Sequence, residues 1–194
     1  MTPRRRMVFG SSLAGLLLAA SGAAVAATRY PDRVGDLKGG AGPDIVAVTL
    51  SHTRTAVAFR VLFAEAPPLR VSTHERWVDM LLIGIDVPPL GRRPVAPGGE
   101  WPGANFALGV HGPSRTGQLV RLGKGIPEAS RLVARLTIVT RGPALSFSIP
   151  RRAIGSPRWF TFVVASARET EREAAGGGFD VAPERGTFRY VLAG

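Results

Sequence analysis

The chain of 194 residues contains no cysteine. That excludes disulfide staples, thiolate catalysis, zinc–thiolate sites and iron–sulfur clusters, and it excludes anchoring through a lipidated cysteine. Lysine is nearly absent: beyond Lys38 and Lys124 every basic residue is arginine. Histidine is limited to His52, His74 and His111, and no two of them stand at metal-ligand spacing. There is no G-x-S-x-G, no H-E-x-x-H, no P-loop and no Rossmann fingerprint, so no catalytic motif is visible and the chain reads as a non-enzyme. No basic run is interleaved with aromatic side chains, which argues against a nucleic-acid partner. Repeats and heptads are lacking too.

What is present begins with an export signature. Arg4, Arg5 and Arg6 form a positive head, residues 7–27 carry no charge, and Ala24-Val25-Ala26 matches an A-x-A cleavage pattern. This order is that of a signal peptide. Arg4-Arg5-Arg6-Met7-Val8 also fits a twin-arginine pattern, so the Sec and twin-arginine routes are both open. The expected location is extracellular or in the cell envelope, with the membrane involved only if this segment, long enough to cross a bilayer, stays uncleaved. The expected organisation is a signal peptide over 1–27, a polar Gly-rich lead-in over 28–43 and one domain over 44–194. Removing the first 26 of 194 residues leaves about 168, a single-domain length that buries an adequate core without staples. The formal charge is +11, and the three leader arginines take it to about +8 in the mature chain. A basic exported protein attracts anionic wall polymers, lipid head groups and acidic glycans.

After the lead-in, segments with β-branched and aromatic residues alternate with period two between Gly and Pro punctuation. The first runs over 44–51 with Val46, Val48 and Leu50 on one face. The second runs over 55–65 with Val57, Phe59, Val61 and Phe63 inward, and the two form a hairpin through His52-Thr53-Arg54. The runs RWVDMLLIGID (76–86) and RWFTFVVASA (158–167) are apolar on both faces, as central strands are. Further strands are expected over 104–111, 117–123, 132–140, 144–149 and 188–192, a helical turn over 127–131, and a short helix or loop over 168–178. About nine strands and almost no helix predict an all-β fold, a two-sheet antiparallel β-sandwich.

Four local patterns strengthen this. They are Asp32-Arg33-Val34-Gly35-Asp36 followed by Pro43-Asp44-Ile45, Ile83-Gly84-Ile85-Asp86 ending a central strand, Ile149-Pro150 with Ile154-Gly155 before Trp159-Phe160-Thr161-Phe162, and Asp180 with Ala182-Pro183 before Phe188-Arg189-Tyr190. Together they resemble exported β-sandwich domains of the DOMON-like type, close to carbohydrate-binding module family 9. The resemblance implies a binding domain for sugars, haem or metals. It also implies an acidic residue beside calcium at the end of the central strand, here Asp86, although the position two residues earlier is Gly84.

Three sets of residues carry candidate chemistry. Trp101 stands in the long Pro/Gly loop 87–103 with Glu100, Arg92 and Arg93, an aromatic face with charged neighbours of the kind that binds sugars. Asp32, Asp36 and Asp86 are candidate ligands for calcium, with Asp44 and Asp180 near enough to strand ends to join them; Asp beside Gly and Pro is equally a turn residue. Met80 and His111 are the one pair available to haem as axial ligands. Asp79, among apolar neighbours, needs Arg60 or Arg76 as a partner if buried and none at the sheet rim; Trp77 and Trp159 read as core. The function expected is an exported, non-catalytic binding module for a carbohydrate or anionic envelope glycan, with no cofactor required and a calcium ion as the candidate metal. The alternative is a structural or interaction protein of the envelope without a small-molecule ligand.

Overall fold

The computed structural model describes residues 27–87, 104–123, 130–170 and 177–192. These residues form two antiparallel sheets packed face to face. The five-stranded sheet has the order β1 (Thr28–Pro31), β2 (Ile45–His52), β3 (Ala56–Phe63), β10 (Ala144–Pro150), β9 (Val139–Arg141). The larger sheet has the order β12 (Phe179–Ala182), β11 (Trp159–Thr170), β5 (Trp77–Asp86), β6 (Phe106–His111), β7 (Thr116–Arg121), β8 (Arg131–Thr137). Two short strands complete it, β13 (Phe188–Val191) on β11 and β4 (Val71–Ser72) on β5. The predicted sandwich is thus present. The strand number exceeds nine because β1, β4, β9 and β12 are short edge pieces with little apolar alternation. The 28–43 lead-in is partly structural, since β1 pairs with β2 from Thr28↔Leu50 to Pro31↔Ala47.

The five-stranded sheet buries one alternating face, whereas β5 and β11 of the larger sheet are buried on both faces over their middle. Val57, Phe59, Val61 and Phe63 of β3 are buried while Arg60 is exposed, and Leu145, Phe147 and Ile149 of β10 repeat the pattern. β5 and β11 pair over ten positions, Thr161↔Asp86 to Thr170↔Trp77. Between β8 and β9 the buried Ile138 carries the chain from one sheet to the other, closing one side of the sandwich. The segment 151–154 is a 3-10 turn. The helical turn expected over 127–131 falls partly outside the described residues, and Arg131 opens β8. The expected helix or loop from 168 onward is instead strand as far as Thr170, because β11 keeps its ladder with β5.

One irregularity positions the site. Simple alternation puts Val46 inward with Val48 and Leu50. A bulge between Ile45 and Ala47 shifts the phase, so Ile45 is buried in its place and Val46 is half-buried. The Gly-rich stretch before β2 lies against the start of β12 through Lys38 N–H→Phe179 O (2.9 Å), Phe179 N–H→Lys38 O (2.9 Å) and Gly178 N–H→Ala41 O (3.0 Å). A Cβ on Gly178 would lie 2.3 Å from the carbonyl oxygen of Gly40, so only glycine permits this approach. Gly178→Ala is expected to cost about 1–3 kcal/mol and to lower the midpoint of thermal unfolding by several degrees, measured by circular dichroism.

Candidate functional site

The close approach of the lead-in to β12 gathers carboxylates. Asp32 follows β1 and its N–H donates to the carbonyl of Val46 (3.1 Å). Asp36 sits in the turn that follows. Asp44 precedes β2 and its Oδ2 accepts the N–H of Gly35 (2.8 Å). Asp180 of β12 is buried, and its Oδ2 accepts the N–H of Ile45 (2.6 Å), the residue turned inward by the bulge. One carboxylate oxygen from each of Asp32, Asp36 and Asp180 lies within 4.8 Å of the others.

The electrostatics of this cluster are unrelieved. Oδ2 of Asp32, both oxygens of Asp36 and Oδ1 of Asp44 are closed to solvent and accept no hydrogen bond. Among the described residues no arginine or lysine forms an ion pair with any of the four; Lys38 lies over the ring of Phe179 instead. Burial, then the charges of Asp180 and Asp36, push the Asp32 carboxyl up to about 7. Asp180 is pushed up to about 6, first by burial and then by Asp36 and Asp44, against the opposing hydrogen bond from Ile45. Buried carboxylate oxygens without donors are costly, and a hard cation removes that cost by coordinating them. Calcium takes oxygen ligands at about 2.4 Å, so two donors on one ion stand at most about 4.8 Å apart. Asp32, Asp36 and Asp180 fit that limit. The donor set therefore suits calcium or a similar hard divalent ion.

Asp86 is not part of this group. Its partner on β11 is Thr161, whereas Asp180 pairs with Ser166, five residues or about 17 Å along the strand. Asp86 Oδ1 accepts instead from Nδ2 of Asn105 (2.9 Å), whose Oδ1 takes the N–H of Val87 (2.9 Å). Of the two strand-end acids expected to join Asp32 and Asp36, Asp180 lies with them and Asp86 does not. The signal for it was the glycine run before Phe179, which marks a close backbone approach. Trp101, Glu100, Arg92 and Arg93 lie outside the described residues. Met80 and His111 are direct cross-strand partners. Their side chains therefore stand side by side on one face, with no width for a macrocycle between them.

At the same end of the sandwich, Asp79 is buried, and its partner is Arg168 rather than Arg60 or Arg76. Arg168 donates from Nε to Oδ1 (2.7 Å) and from a terminal nitrogen to Oδ2 (3.2 Å). The two residues face each other across β5 and β11, and sequence spacing could not show this register. Oδ2 also accepts the N–H of Arg70 (3.0 Å). The Arg168 guanidinium lies over the indole of Trp77, 3.6 Å from its centroid. Trp77, expected in the core, is half-buried beyond the last apolar row, and its Nε1–H donates to the carboxylate of Glu75. Trp159 is likewise half-buried, beneath the guanidinium of Arg189. An open groove of about 710 Å³ is lined by Trp77 with Ser72, Thr73, Arg76, Glu169 and Thr170. Arg76 holds φ at 55°, a left-handed conformation that costs a non-glycine residue about 1–2 kcal/mol. The sequence cue for this groove was the polar run STHER ahead of the tryptophan.

No protein-family model matches the chain, and no curated protein matches it.

The pH response of the metal-free protein follows from the cluster. Asp32 and Asp180 hold protons in the folded state that the unfolded chain releases near pH 4. Their folded-state values are raised, so the stability they allow is complete below about pH 4 and is lost as pH rises through about 6 to 7. In chelator, the contribution of these groups to the unfolding midpoint is expected to fall between pH 4 and pH 7.5. It should vanish in an Asp32→Asn, Asp180→Asn double variant followed by the same thermal melts.

Proposed function

We propose that the chain is an exported, non-catalytic binding module for a carbohydrate or cell-envelope glycan, with a hard divalent cation such as calcium tying its N-terminal segment to β12. The observation that carries the binding reading is the indole of Trp77, fixed at a groove by the Asp79–Arg168 pair. An aromatic plane covers the C–H surface of a sugar, while Arg76, Glu169 and the hydroxyls of Ser72, Thr73 and Thr170 have the chemistry to bind its hydroxyls. Because Arg168 is held along its N–H edge by Asp79 and on one face by Trp77, little side-chain entropy is left to lose on binding. The DOMON-like resemblance implies the same class of function, and the basic charge of the chain favours an acidic glycan.

In calcium, soluble envelope glycans are screened by thermal shift and tryptophan fluorescence. A ligand present at about 100 times its Kd should stabilise the fold by about 2.7 kcal/mol. Trp77→Ala should abolish that shift while keeping the far-ultraviolet spectrum. A panel of neutral and acidic glycans that leaves the midpoint unmoved would overturn the binding reading.

The cation has its own test. Calcium should raise the midpoint of the parent chain at pH 8. Asp36→Asn should cancel that response and melt higher than the parent in chelator, because one unpaired buried charge is gone. A calcium response that survives in Asp36→Asn would remove this carboxylate from the site.

A further inference from the structure

One row of direct cross-strand partners in the larger sheet runs Ile85, Phe106, Arg121, Arg131 across β5, β6, β7 and β8. Ile85 and Phe106 are buried and face into the sandwich. Direct partners share a face, so the inward side of the sheet turns from apolar to cationic within this single row. Two arginines set opposite each other on neighbouring strands repel. Arg152, from the 3-10 turn that follows β10, lines the same cleft. Among the described residues no carboxylate pairs with any of these three arginines.

The rest of the cleft is apolar. Phe106 and Ile154 are buried beneath it, and Val133, half-buried against the core beside the arginine pair, stands at its wall. The cleft measures about 490 Å³, within the range of about 300–1,000 Å³ usual for small-molecule sites. A plain inorganic anion would leave the apolar surface unused. A neutral apolar molecule would leave the arginine repulsion standing.

We propose that this cleft binds a single amphipathic anion, with a carboxylate or phosphate head held by Arg121, Arg131 and Arg152 and an alkyl chain laid over Phe106, Val133 and Ile154. Guanidinium groups bind such heads through paired N–H donors, and the bound charge relieves the like-charge pair across β7 and β8. The site is separate from the Trp77 groove, and the proposal does not rest on glycan binding there.

The test is calorimetric titration of the mature chain with decanoate, decyl phosphate, octanoate, inorganic phosphate and decanol. Decanoate and decyl phosphate should bind, and octanoate, two methylenes shorter, should bind about tenfold more weakly. Inorganic phosphate and decanol should give no measurable heat. Arg131→Gln and Arg152→Gln should each weaken decanoate at least tenfold. The unfolding midpoint of Arg131→Gln without ligand should hold or rise, since a like-charge contact is removed. Equal affinity for decanol and decanoate, or affinities unmoved in both variants, would overturn the proposal. So would binding to phosphatidylglycerol vesicles with none to free decanoate, which would make the arginines a membrane-facing patch.

Discussion

The structure depends on the apolar contact between the inner faces of its two sheets. Phe59 stacks on Phe147 of its own sheet at 5.3 Å and meets Phe162 of the opposite sheet edge-on at 5.6 Å. Phe160 extends the group to Tyr190 at 5.7 Å. All five rings are buried. Without cysteine, this burial holds the two layers together, while ladder hydrogen bonds hold the strands within each. The longest ladder, β5 with β11, runs past the apolar layer at one end, and its last rows carry Asp79, Arg168 and Trp77. These residues therefore lie on the inward face yet beyond the core, and there an ion pair and a ring stack replace apolar packing.

The same geometry separates charge. The carboxylates gather beside β12, at one edge of the larger sheet, and the arginine pair spans β7 and β8 at the other edge. Along β11 the two sites are offset as well: Asp180 is level with Ser166, while Phe106 and the arginines fall in the row of Phe162. Each group sits where the sandwich interior opens and apolar side chains give out. Like charges are held close at both places by backbone register, not by mutual attraction. This makes each of them receptive to an ion of opposite sign.

Glycine is what allows the acidic corner to form. The lead-in and β12 come so close at Gly42 and Gly178 that a methyl group on either would lie within 3 Å of backbone. Together with the bulge in β2, which turns the Ile45 N–H toward Asp180, this approach draws three separate stretches of chain around one point.

The sequence by itself determined the all-β class and most of the long strands, because alternation in VAFRVLF and ALSFSIP, and the unbroken apolar runs of β5 and β11, permit few other arrangements. It also supplied Asp32 and Asp36 as a pair, since they lie close in the chain. Only the tertiary structure decided the rest of the site. Which of Asp86 and Asp180 joins Asp32 and Asp36 depended on strand register, the choice of Arg168 for Asp79 on which strand lies beside β5, and the placing of Trp77 at a rim on where the opposite sheet ends. Each is a relation between distant segments, set by pairing and packing that local pattern does not encode.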